Sequence, residues 1–265
     1  MTWLRAPGPD DDKRSMGVLG VVTGSVRYPG AAVLGVEAAW RTGVGTVRLW
    51  APRRVQDLVL ARRPETVCHA LDEPPEGVDA WVLGSGQDAR ERDEALRALL
   101  RACLGGGRPA VVDAGALDLV PGHEGPAVVT PHEGELARIL GRERDALGDR
   151  DAAAGEAARA LDAIVVAKGV PTFVATPAGA LTTVHPPTHR LATAGTGDVL
   201  AGVLGAVVAG SAREAADPGA LASMAALAVR LHGAAAALAA QGGRSVTALD
   251  VAERLPEAVA AARAD

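Results

Sequence analysis

The chain reads T-A-G-T-G-D-V-L-A-G over residues 193–202, a glycine-rich turn followed by the first residues of an apolar run. Gly195 and Gly197 allow a tight turn, and the run after Asp198, V-L-A-G-V-L-G-A-V-V-A, predicts a helix. The start of a helix offers unpaired N–H groups and the positive end of the helix dipole, which together favour a bound phosphate. The predicted anion hole consists of the backbone N–H groups of Ala194, Gly195, Thr196 and Gly197.

Asp198 lies beside this predicted phosphate site, where its negative charge needs an explanation. A carboxylate would repel a phosphate unless it accepted a proton from an incoming hydroxyl group or helped to hold a metal ion, and both roles belong to phosphoryl transfer. The alternative is that Asp198 only caps the helix, as Asp often does. The ten residues alone favour neither reading, because short glycine-rich motifs also occur by chance.

The composition is that of one globular domain that does not bind nucleic acid. The 265 residues are 48% hydrophobic, which is enough to bury a large core. The net charge of −5 and the single Phe and Tyr provide neither a basic face nor stacking platforms for bases. We expect residues 1–16 to be a flexible lead-in and residues 17–265 to form a single catalytic domain.

The sequence shows no pattern of an export signal or a membrane anchor. The N-terminal residues are polar and acidic where a signal peptide has an apolar core. The longest apolar run, residues 199–210, is too short to cross a bilayer, and the alanine-rich segment near Leu221 is interrupted by Arg230 and His232. The sequence therefore predicts a cytoplasmic protein with no membrane partner.

Short β-branched runs alternate with segments rich in Ala, Leu and Arg, which is the pattern of an α/β fold. Several runs are apolar throughout, so the sheet is expected to be mostly parallel, with helices on both faces. The predicted strands read G-V-L-G-V-V-T-G, T-V-R-L-W, W-V-L-G, P-A-V-V-D, P-A-V-V-T, A-I-V-V-A-K and P-T-F-V-A-T. Helices are predicted over residues 31–41, 89–104, 134–141 and 150–161, and through most of the last third of the chain.

Polar residues and glycines gather where the predicted strands end. In an open α/β sheet, ligands bind beyond the carboxyl ends of the strands. Six such ends carry Gly, Ser, Thr, His, Lys or Asp, and their coincidence on one edge predicts a nucleotide-using active site. The six ends are residues 23–25, residues 84–86, Asp113, residues 130–132, residues 168–169 and residues 195–198.

Longer segments of the sequence carry a resemblance to a known family. They read G-S-V-R-Y-P-G-A-A-V-L-G-V-E-A-A-W-R-T-G-V-G-T-V, V-T-P-H-E-G-E-L-A-R-I-L, A-K-G-V-P-T-F-V and A-G-T-G-D-V-L-A-G-V-L, with a late L-H-G. From about residue 17 to residue 256 the chain resembles the ADP/ATP-dependent NAD(P)H-hydrate dehydratases of the ribokinase-like superfamily, which repair hydrated nicotinamide cofactors. The resemblance implies a three-layer α/β/α fold with a central, mostly parallel sheet. We expect no fused epimerase domain before residue 17.

The resemblance also assigns residues to the substrate and to the nucleotide. The hydrate pocket would be lined by Ala31, Gly86, His132 and Asp198. The nucleotide-binding residues would be Lys168, Gly169, Val170, Pro171, Thr172 and Gly197. Two segments depart from the family pattern, since G-S-G-Q-D at residues 84–88 replaces G-P-G-L-G and D-A-G-A-L at residues 113–117 replaces D-A-D-A-L.

By the same resemblance, the reaction moves phosphate from ADP or ATP to the C6 hydroxyl of the S-epimer of NADHX or NADPHX. The phosphate is then expelled, which restores NADH or NADPH. Asp198 would be the catalytic base, and Mg²⁺ would bridge oxygens of the nucleotide. Glu135 is a candidate for orienting a metal-bound water. The family further implies a homotetramer and a functional partnership with a separate epimerase.

Several of these side chains have a purely structural alternative. His132 could cap the helix that follows it, and Glu135 in the first turn suits the helix dipole without any function. Lys168 could be a solvated charge at a strand end. His232 is expected to be a hydrogen-bonded core histidine. Asp113 could contact substrate or order its own loop.

Three other functions fit part of the sequence. A vitamin-precursor kinase of the same superfamily, acting on a hydroxyethylthiazole or hydroxymethylpyrimidine, would share the G-T-G-D turn and stop after phosphorylation, but the T-P-H segment argues against it. An NAD-dependent dehydrogenase would need G-x-G-x-x-G after an early strand, and residues 23–25 do not provide it. A non-catalytic nucleotide sensor would not need Asp198.

Overall fold

The computed structural model describes residues 3–264, which form a nine-stranded sheet covered by helices on both faces. The strands are β1 (Val18–Val22), β2 (Thr46–Trp50), β3 (Val67–His69), β4 (Ala80–Leu83), β5 (Ala110–Val112), β6 (Ala127–Val129), β7 (Ile164–Ala167), β8 (Thr172–Ala175) and β9 (Leu181–Val184). The helices are α1 (Gly30–Thr42), α2 (Arg53–Arg62), α3 (Glu94–Gly105), α4 (Glu133–Ile139), α5 (Arg150–Leu161), α6 (Thr196–Gly210), α7 (Pro218–Ala239), α8 (Ala248–Glu253) and α9 (Leu255–Ala264).

The sheet order is β3-β2-β1-β4-β5-β6-β7-β8-β9. Strands β1 to β7 are mutually parallel, with Val21 opposite Leu49 on one side and Val22 opposite Leu83 on the other. Strand β8 runs antiparallel to β7, and β9 runs antiparallel to β8. The loop between β7 and β8 therefore lies at the same edge as the carboxyl ends of the parallel strands. The predicted α/β fold with a mostly parallel central sheet is confirmed.

Alternate residues of each strand enter two separate cores, because successive side chains of a strand point to opposite faces. Val21 and Val82 face the core beneath α1, α6 and α7, whereas Val22 and Trp81 face the core beneath α3, α4 and α5. This double coverage explains why the central strands are apolar throughout.

Helices α1 and α6 pack backbone to backbone. A Cβ atom placed on Gly202 of α6 would collide with the carbonyl oxygen of Gly35 on α1. A Cβ atom on Gly35 would lie 3.4 Å from the carbonyl oxygen of Asp198. The two glycines thus allow the main chains of α1 and α6 to touch close to Asp198, near the carboxyl edge of the sheet.

Helix α7 is the one helix of the described residues that is long and apolar enough to cross a membrane by length and composition, with a mean hydropathy of 1.5. In the fold, 67% of that stretch is buried, and the helix packs against α6, α8 and α9. Its burial is that of a core helix in a globular domain.

Three elements were not predicted, namely β3, β9 and α2. Helix α3 begins at Glu94 and not at residue 89, because Asp93 caps it by accepting a hydrogen bond from the N–H of Leu96 at 2.8 Å. Of the predicted flexible lead-in, residues 1 and 2 lie outside the described residues. Leu4 is buried in the core beneath α1, and its carbonyl oxygen accepts a hydrogen bond from Arg263 at 3.3 Å.

Candidate active site

The start of α6 presents a row of free amide groups. Gly195 precedes the helix with a φ of 89°, and the N–H of Val199 makes the first helical hydrogen bond, 3.2 Å to the carbonyl oxygen of Gly195. The Thr196 hydroxyl donates to the carbonyl oxygens of Leu191 and Thr193, both at 3.0 Å, which orders the turn. Within residues 3–264, no acceptor pairs with the four N–H groups of the predicted anion hole, Ala194, Gly195, Thr196 and Gly197.

Asp198 is the third residue of α6, and it does not cap the helix. Its half-buried carboxylate accepts no hydrogen bond from the described part of the chain. Burial raises the pKa of Asp198 from 3.8 to about 6, repulsion from Asp113 adds to the rise, and Lys168 opposes it. A carboxylate with a free lone pair and a pKa near 6 is suited to act as a general base near neutral pH.

Lys168 follows the end of β7 and is held by carboxylates. Its Nζ donates to Asp113 Oδ1 at 2.8 Å and lies 3.9 Å from Glu135 Oε2. Burial alone would lower the pKa of Lys168, but attraction to Asp113, Glu135 and Asp198 outweighs it, and the pKa is raised. Lys168 is therefore a fixed, protonated ammonium, and the alternative of a solvated strand-end charge is wrong.

Asp113 is buried and serves to position Lys168. It is 3% exposed, and it also accepts hydrogen bonds from Ser85 Oγ at 3.0 Å and Thr130 Oγ1 at 2.8 Å. These two hydroxyls follow β4 and β6, the strands on either side of β5. Sequence reasoning missed their role, although residues 85 and 130 fall in two of the strand-end clusters that it identified.

His132 caps helix α4. Its Nδ1 accepts a hydrogen bond from the N–H of Gly134 at 3.0 Å, and Glu135 Oε2 accepts one from the N–H of His132 at 2.8 Å. His132 therefore caps the helix through Nδ1, which was the structural alternative to a substrate contact. The side chain is still 58% exposed, with Nε2 3.4 Å from Glu135 Oε1, so contact with a substrate stays a prediction.

The structure limits how a metal ion could be held. Among residues 3–264, no group of three or more His, Cys, Asp or Glu side chains could hold a metal. The carboxylate of Glu135 is already engaged by the His132 N–H and by Lys168. Mg²⁺ commonly binds through one or two carboxylates together with substrate phosphates and waters. The side chains present fit a Mg²⁺ that arrives with a nucleotide better than a resident ion.

Most of the predicted nucleotide residues meet around one cavity of about 270 Å³, beyond the end of β7 and the start of β8. Those lining it are Lys168, Gly169, Val170, Thr172 and Gly197, and Thr196 of the predicted anion hole lines it as well. Thr172 Oγ1 closes the loop by donating to the carbonyl oxygen of Gly169 at 2.9 Å, and the Val170–Pro171 peptide bond is cis. Pro171 itself does not line the cavity, and its carbonyl oxygen accepts a hydrogen bond from Arg150.

Ala31 and Gly86, two of the predicted hydrate-pocket residues, are in contact. Gly86 has a φ of 69°, and a Cβ atom there would collide with Ala31 Cβ. Gln87, which departs from the family pattern, is buried and lines a second cavity of about 320 Å³. Its Nε2 donates to the carbonyl oxygen of Val22 at 3.1 Å, and its Oε1 has no partner within residues 3–264.

Comparison with known proteins gives the chain a family. Residues 19–257 match the family described as NAD(P)H-hydrate dehydratase. The bifunctional NAD(P)H-hydrate repair enzyme of Mycobacterium tuberculosis is 41% identical over 210 residues, which are 77% of this chain and 43% of that enzyme. The ADP-dependent (S)-NAD(P)H-hydrate dehydratase of Xanthomonas campestris is 34% identical over 218 residues, 75% of this chain and 74% of that protein. The chain thus spans less than half the length of the mycobacterial enzyme.

Solved structures give the same result for the fold. The ADP/ATP-dependent NAD(P)H-hydrate dehydratase of Bacillus subtilis, co-crystallized with ATP and Mg²⁺, has a TM-score of 0.81 at 28% identity, covering 96% of this chain and 92% of that one. A ribokinase-like superfamily protein of Enterococcus faecalis has a TM-score of 0.83 at 22% identity, covering 97% and 92%. A hydroxyethylthiazole kinase of Pyrococcus horikoshii has a TM-score of 0.62 at 18% identity, covering 92% and 89%, which shows a related fold alone. The chain has the ribokinase-like fold and belongs to the NAD(P)H-hydrate dehydratase family.

Proposed function

We propose that this protein is an ADP- or ATP-dependent dehydratase that converts the S-epimer of NADHX or NADPHX back to NADH or NADPH. The observation that carries the proposal is the placement of the Asp198 carboxylate, which has a pKa near 6, beside four backbone amides and the cavity that Lys168 lines. Neither the carboxylate nor the four amides have a hydrogen-bond partner in the described range, residues 3–264. Family membership supports the substrate class, and the names of the Xanthomonas and Bacillus relatives support ADP or ATP as co-substrate.

In the first step of the proposed reaction, Asp198 takes the proton of the C6 hydroxyl group of the hydrated ring. The freed oxygen attacks the terminal phosphorus of the nucleotide, and the bond between that phosphorus and its bridging oxygen breaks. ADP then leaves as AMP, or ATP as ADP. The amides of residues 194–197 stabilise the negative charge on the transferring phosphoryl group. Such electrostatic stabilisation is usually the largest contribution to the rate of phosphoryl transfer.

In the second step, the bond between C6 and the phosphate oxygen breaks, and its electron pair leaves with the phosphate. A proton leaves C5, and the C5–C6 double bond of the dihydronicotinamide forms. Phosphate is a far better leaving group than hydroxide, which is the reason for consuming a nucleotide. Lys168, held by Asp113, offers a fixed positive charge in the cavity wall for the phosphate chain.

Mg²⁺ completes the proposed site. When bound to the nucleotide, it supplies neutralising charge between the phosphate oxygens. Glu135 is the carboxylate we assign to orient one of its waters, while Lys168 supplies a second positive charge nearby. Titrating Mg²⁺ into the protein with and without ADP tests this assignment, because an ion that arrives with the nucleotide binds only when ADP is present.

The test of the function is a direct assay. Purified protein is incubated with NADPHX, ADP and Mg²⁺, and recovery of the dihydronicotinamide absorbance is followed. Asp198→Asn should abolish recovery and leave ADP binding largely intact, whereas Asp151→Asn, in the exposed first turn of α5, should change neither. Near-normal turnover of the Asp198 variant would refute the assignment. A superfamily kinase would instead accumulate a phosphorylated product without recovery.

We also propose the setting in which the enzyme acts. It is a cytoplasmic homotetramer that works beside a separate epimerase, which would supply the S-epimer. The bifunctional relatives support a functional link between the two activities. Light scattering of the eluted protein would test the tetramer, and an R-epimer substrate that is repaired only after epimerase is added would test the partnership.

A further inference from the structure

The loop that joins β7 to β8 has two sides with different surroundings. On one side, residues 168–170 and Thr172 line the 270 Å³ cavity, and residues 168–172 are called the nucleotide loop below. Pro171 and Phe173 do not line the cavity. They contact the side chain of Arg150, the first residue of α5, which lies behind the loop as seen from the cavity.

The guanidinium group of Arg150 touches every second residue from 169 to 173. Its Nη2 donates a hydrogen bond to the carbonyl oxygen of Pro171. Its Cζ lies 5.3 Å from the centre of the Phe173 ring, which is within the range of a cation–π contact. A Cβ atom placed on Gly169 would lie 2.5 Å from Nη2, so the guanidinium packs directly against the main chain there.

The positive charge of Arg150 is not used in an ion pair. Arg150 is half-buried, and its guanidinium pairs with no carboxylate among residues 3–264, whereas Arg63 and Arg92 pair with Glu37 and Asp118. A hydrogen bond from a charged donor is stronger than one between neutral groups. The guanidinium of Arg150 is therefore committed to the main chain of the nucleotide loop.

The contact from Arg150 attaches the nucleotide loop to a neighbouring helix. Thr172 Oγ1 donates to the carbonyl oxygen of Gly169 at 2.9 Å, but this bond only closes the loop on itself. Helix α5 packs against both β7 and β8, so Arg150 joins the loop to an element that is already fixed to the sheet. A loop that is ordered before its ligand arrives loses less conformational entropy on binding.

We propose that Arg150 is a positioning residue for the nucleotide, which holds the nucleotide loop in its binding conformation from behind. The inference rests on the proposed function, since it takes ADP or ATP as the ligand of this loop. Arg150 does not line the cavity and takes no part in the proton or phosphoryl transfers. Its loss should therefore act on the affinity for nucleotide and not on turnover.

The test measures ADP binding by calorimetry, without the hydrate substrate. Arg150→Met keeps a side chain of similar length but removes the charge and the donors, and it should raise the Kd of ADP about tenfold. Arg150→Lys keeps the charge and one donor, and it should stay within about threefold of the wild type. Arg159→Met, at an exposed arginine in the last turn of the same helix, is the matched control and should change nothing.

The dehydration assay separates positioning from general damage to the fold. Arg150→Met should raise the KM for ADP and leave both kcat and the KM for NADPHX within about twofold. A purely structural arginine would lower the Tm of the variant and leave the Kd of ADP unchanged, which would overturn the inference. A rise in the KM for NADPHX as large as the rise in the KM for ADP would overturn it as well.

A second variant keeps the inference testable if Arg150→Met fails to fold. Phe173→Leu removes the ring that faces the guanidinium, outside the cavity, and it should raise the Kd of ADP about threefold. In a folded Arg150→Met background the same change should add nothing, because the contact is already lost. An unchanged Kd for ADP in Phe173→Leu, or an equal effect in both backgrounds, contradicts the inference.

The two proposals fail in different ways. Wild-type protein that binds ADP with Arg150-dependent affinity but does not dehydrate NADPHX would refute the function and keep the positioning role. Wild-type protein that dehydrates NADPHX, with a folded Arg150→Met variant of unchanged KM for ADP, would refute the positioning role and keep the function.

Discussion

Lys168 Nζ lies 2.8 Å from Asp113 Oδ1, although the two residues are 55 positions apart in the chain. The pair joins the end of β7 to the end of β5, and the hydroxyls of Ser85 and Thr130 complete the coordination of the carboxylate. Lys168 is thus fixed in the wall of the 270 Å³ cavity, whereas a flexible lysine on a loop would sample many positions.

Replacing Lys168 should affect both stability and nucleotide binding. Lys168→Met leaves the carboxylate of Asp113 buried without a counter-charge, which should lower the free energy of unfolding by about 3 kcal/mol. The double variant Lys168→Met/Asp113→Asn should recover most of that loss in urea denaturation and none of the dehydration activity. Lys13→Met, at the other lysine of the chain, is the control. A double variant with wild-type activity would contradict the assigned role of the ammonium.

The pH dependence of activity should report Asp198. A base must be deprotonated to act, so kcat/KM should rise with pH through about 6 and level off above it. The measurement is kcat/KM for NADPHX from pH 5 to pH 8 at saturating ADP. The wild-type rate should fall about tenfold per pH unit well below 6, while any residual rate of Asp198→Asn should show no such step. A kcat/KM that stays flat from pH 5 to pH 8 would show that the pKa of the carboxyl is not raised.

The free energy of unfolding should also depend on the pKa of Asp198, and ionisation of this carboxyl should lower it. The pKa of Asp198 is raised in the fold, so the ionised carboxylate destabilises the native state, and this effect is complete above about pH 6. Below pH 3.8 the carboxyl is protonated in both the folded and the unfolded state, and the effect disappears. Asp198→Asn should therefore have the higher Tm at pH 8, and the difference should shrink as the pH falls from 6 to 4. Nucleotide is left out of these melts because phosphate groups titrate in the same range. A constant difference across this range would contradict the shift.

Gly195 should not tolerate a side chain. Its φ of 89° is left-handed, and a Cβ atom would lie 2.6 Å from Leu34 Cδ1 and 3.1 Å from Ala248 Cβ. Gly195→Ala should cost about 2 kcal/mol of stability or more, and it should weaken ADP binding by moving the amides of α6. Gly107 also has a positive φ, but a Cβ atom there would meet no atom within 4 Å. Gly107→Ala should therefore lower the free energy of unfolding by only about 1 kcal/mol and leave the affinity for ADP unchanged. Thermal melts and ADP calorimetry would separate the two, and equal costs would argue against the steric account.

A buried carboxylate ties α1 to α2. Glu37 is fully buried and accepts hydrogen bonds from the guanidinium groups of Arg41 at 2.5 Å, Arg62 at 3.1 Å and Arg63. Burial would raise its pKa, but the three arginines outweigh burial and lower the pKa from 4.5 to about 2. The stabilisation is therefore full above pH 4.5 and is lost as the pH falls towards 2.

Glu37→Gln should lower the free energy of unfolding at pH 7 by about 3 kcal/mol, since three guanidinium groups lose the buried carboxylate that they share. Urea denaturation at pH 7, 4 and 3 should show a smaller loss on acidification in the variant than in the wild type. Glu65→Gln, an exposed neighbour of Arg63, should behave like the wild type. An equally steep acid dependence in Glu37→Gln would assign the loss to other groups.

The parallel sheet could be predicted because its strands are short apolar runs that end in glycine or polar residues. The missed elements lack this signal. Strand β9 reads L-T-T-V at the edge of the sheet, with only Val184 buried, and β3 has three residues. Helix α2 buries only Val55 and Val59, so its apolar stripe is too narrow to stand out from a polar loop.

The site was predicted in part. The glycine-rich turn and the strand-end clusters pointed to Asp198 and Lys168, and the resemblance assigned their roles. The structure brings the two close enough for each to shift the pKa of the other. The hydroxyls that hold Asp113 depend on which strands are neighbours, and the burial of His232 Nε2 without a partner among residues 3–264 depends on how α7 crosses α6. Neither relation is encoded in local spacing, so both require coordinates.

The glycine contact between α1 and α6 fixes the spacing of these two helices. Ala31 and Asp198 sit in the first turns of two helices whose main chains touch at Gly35 and Gly202. No side chain lies between the two helices at this contact, so their distance cannot change by repacking. The distance between Ala31 and Asp198, which we propose contact the hydrate, is fixed in the same way. A change in the preferred cofactor would therefore have to come from substitutions in the surrounding loops, because small side-chain changes cannot adjust the distance between α1 and α6.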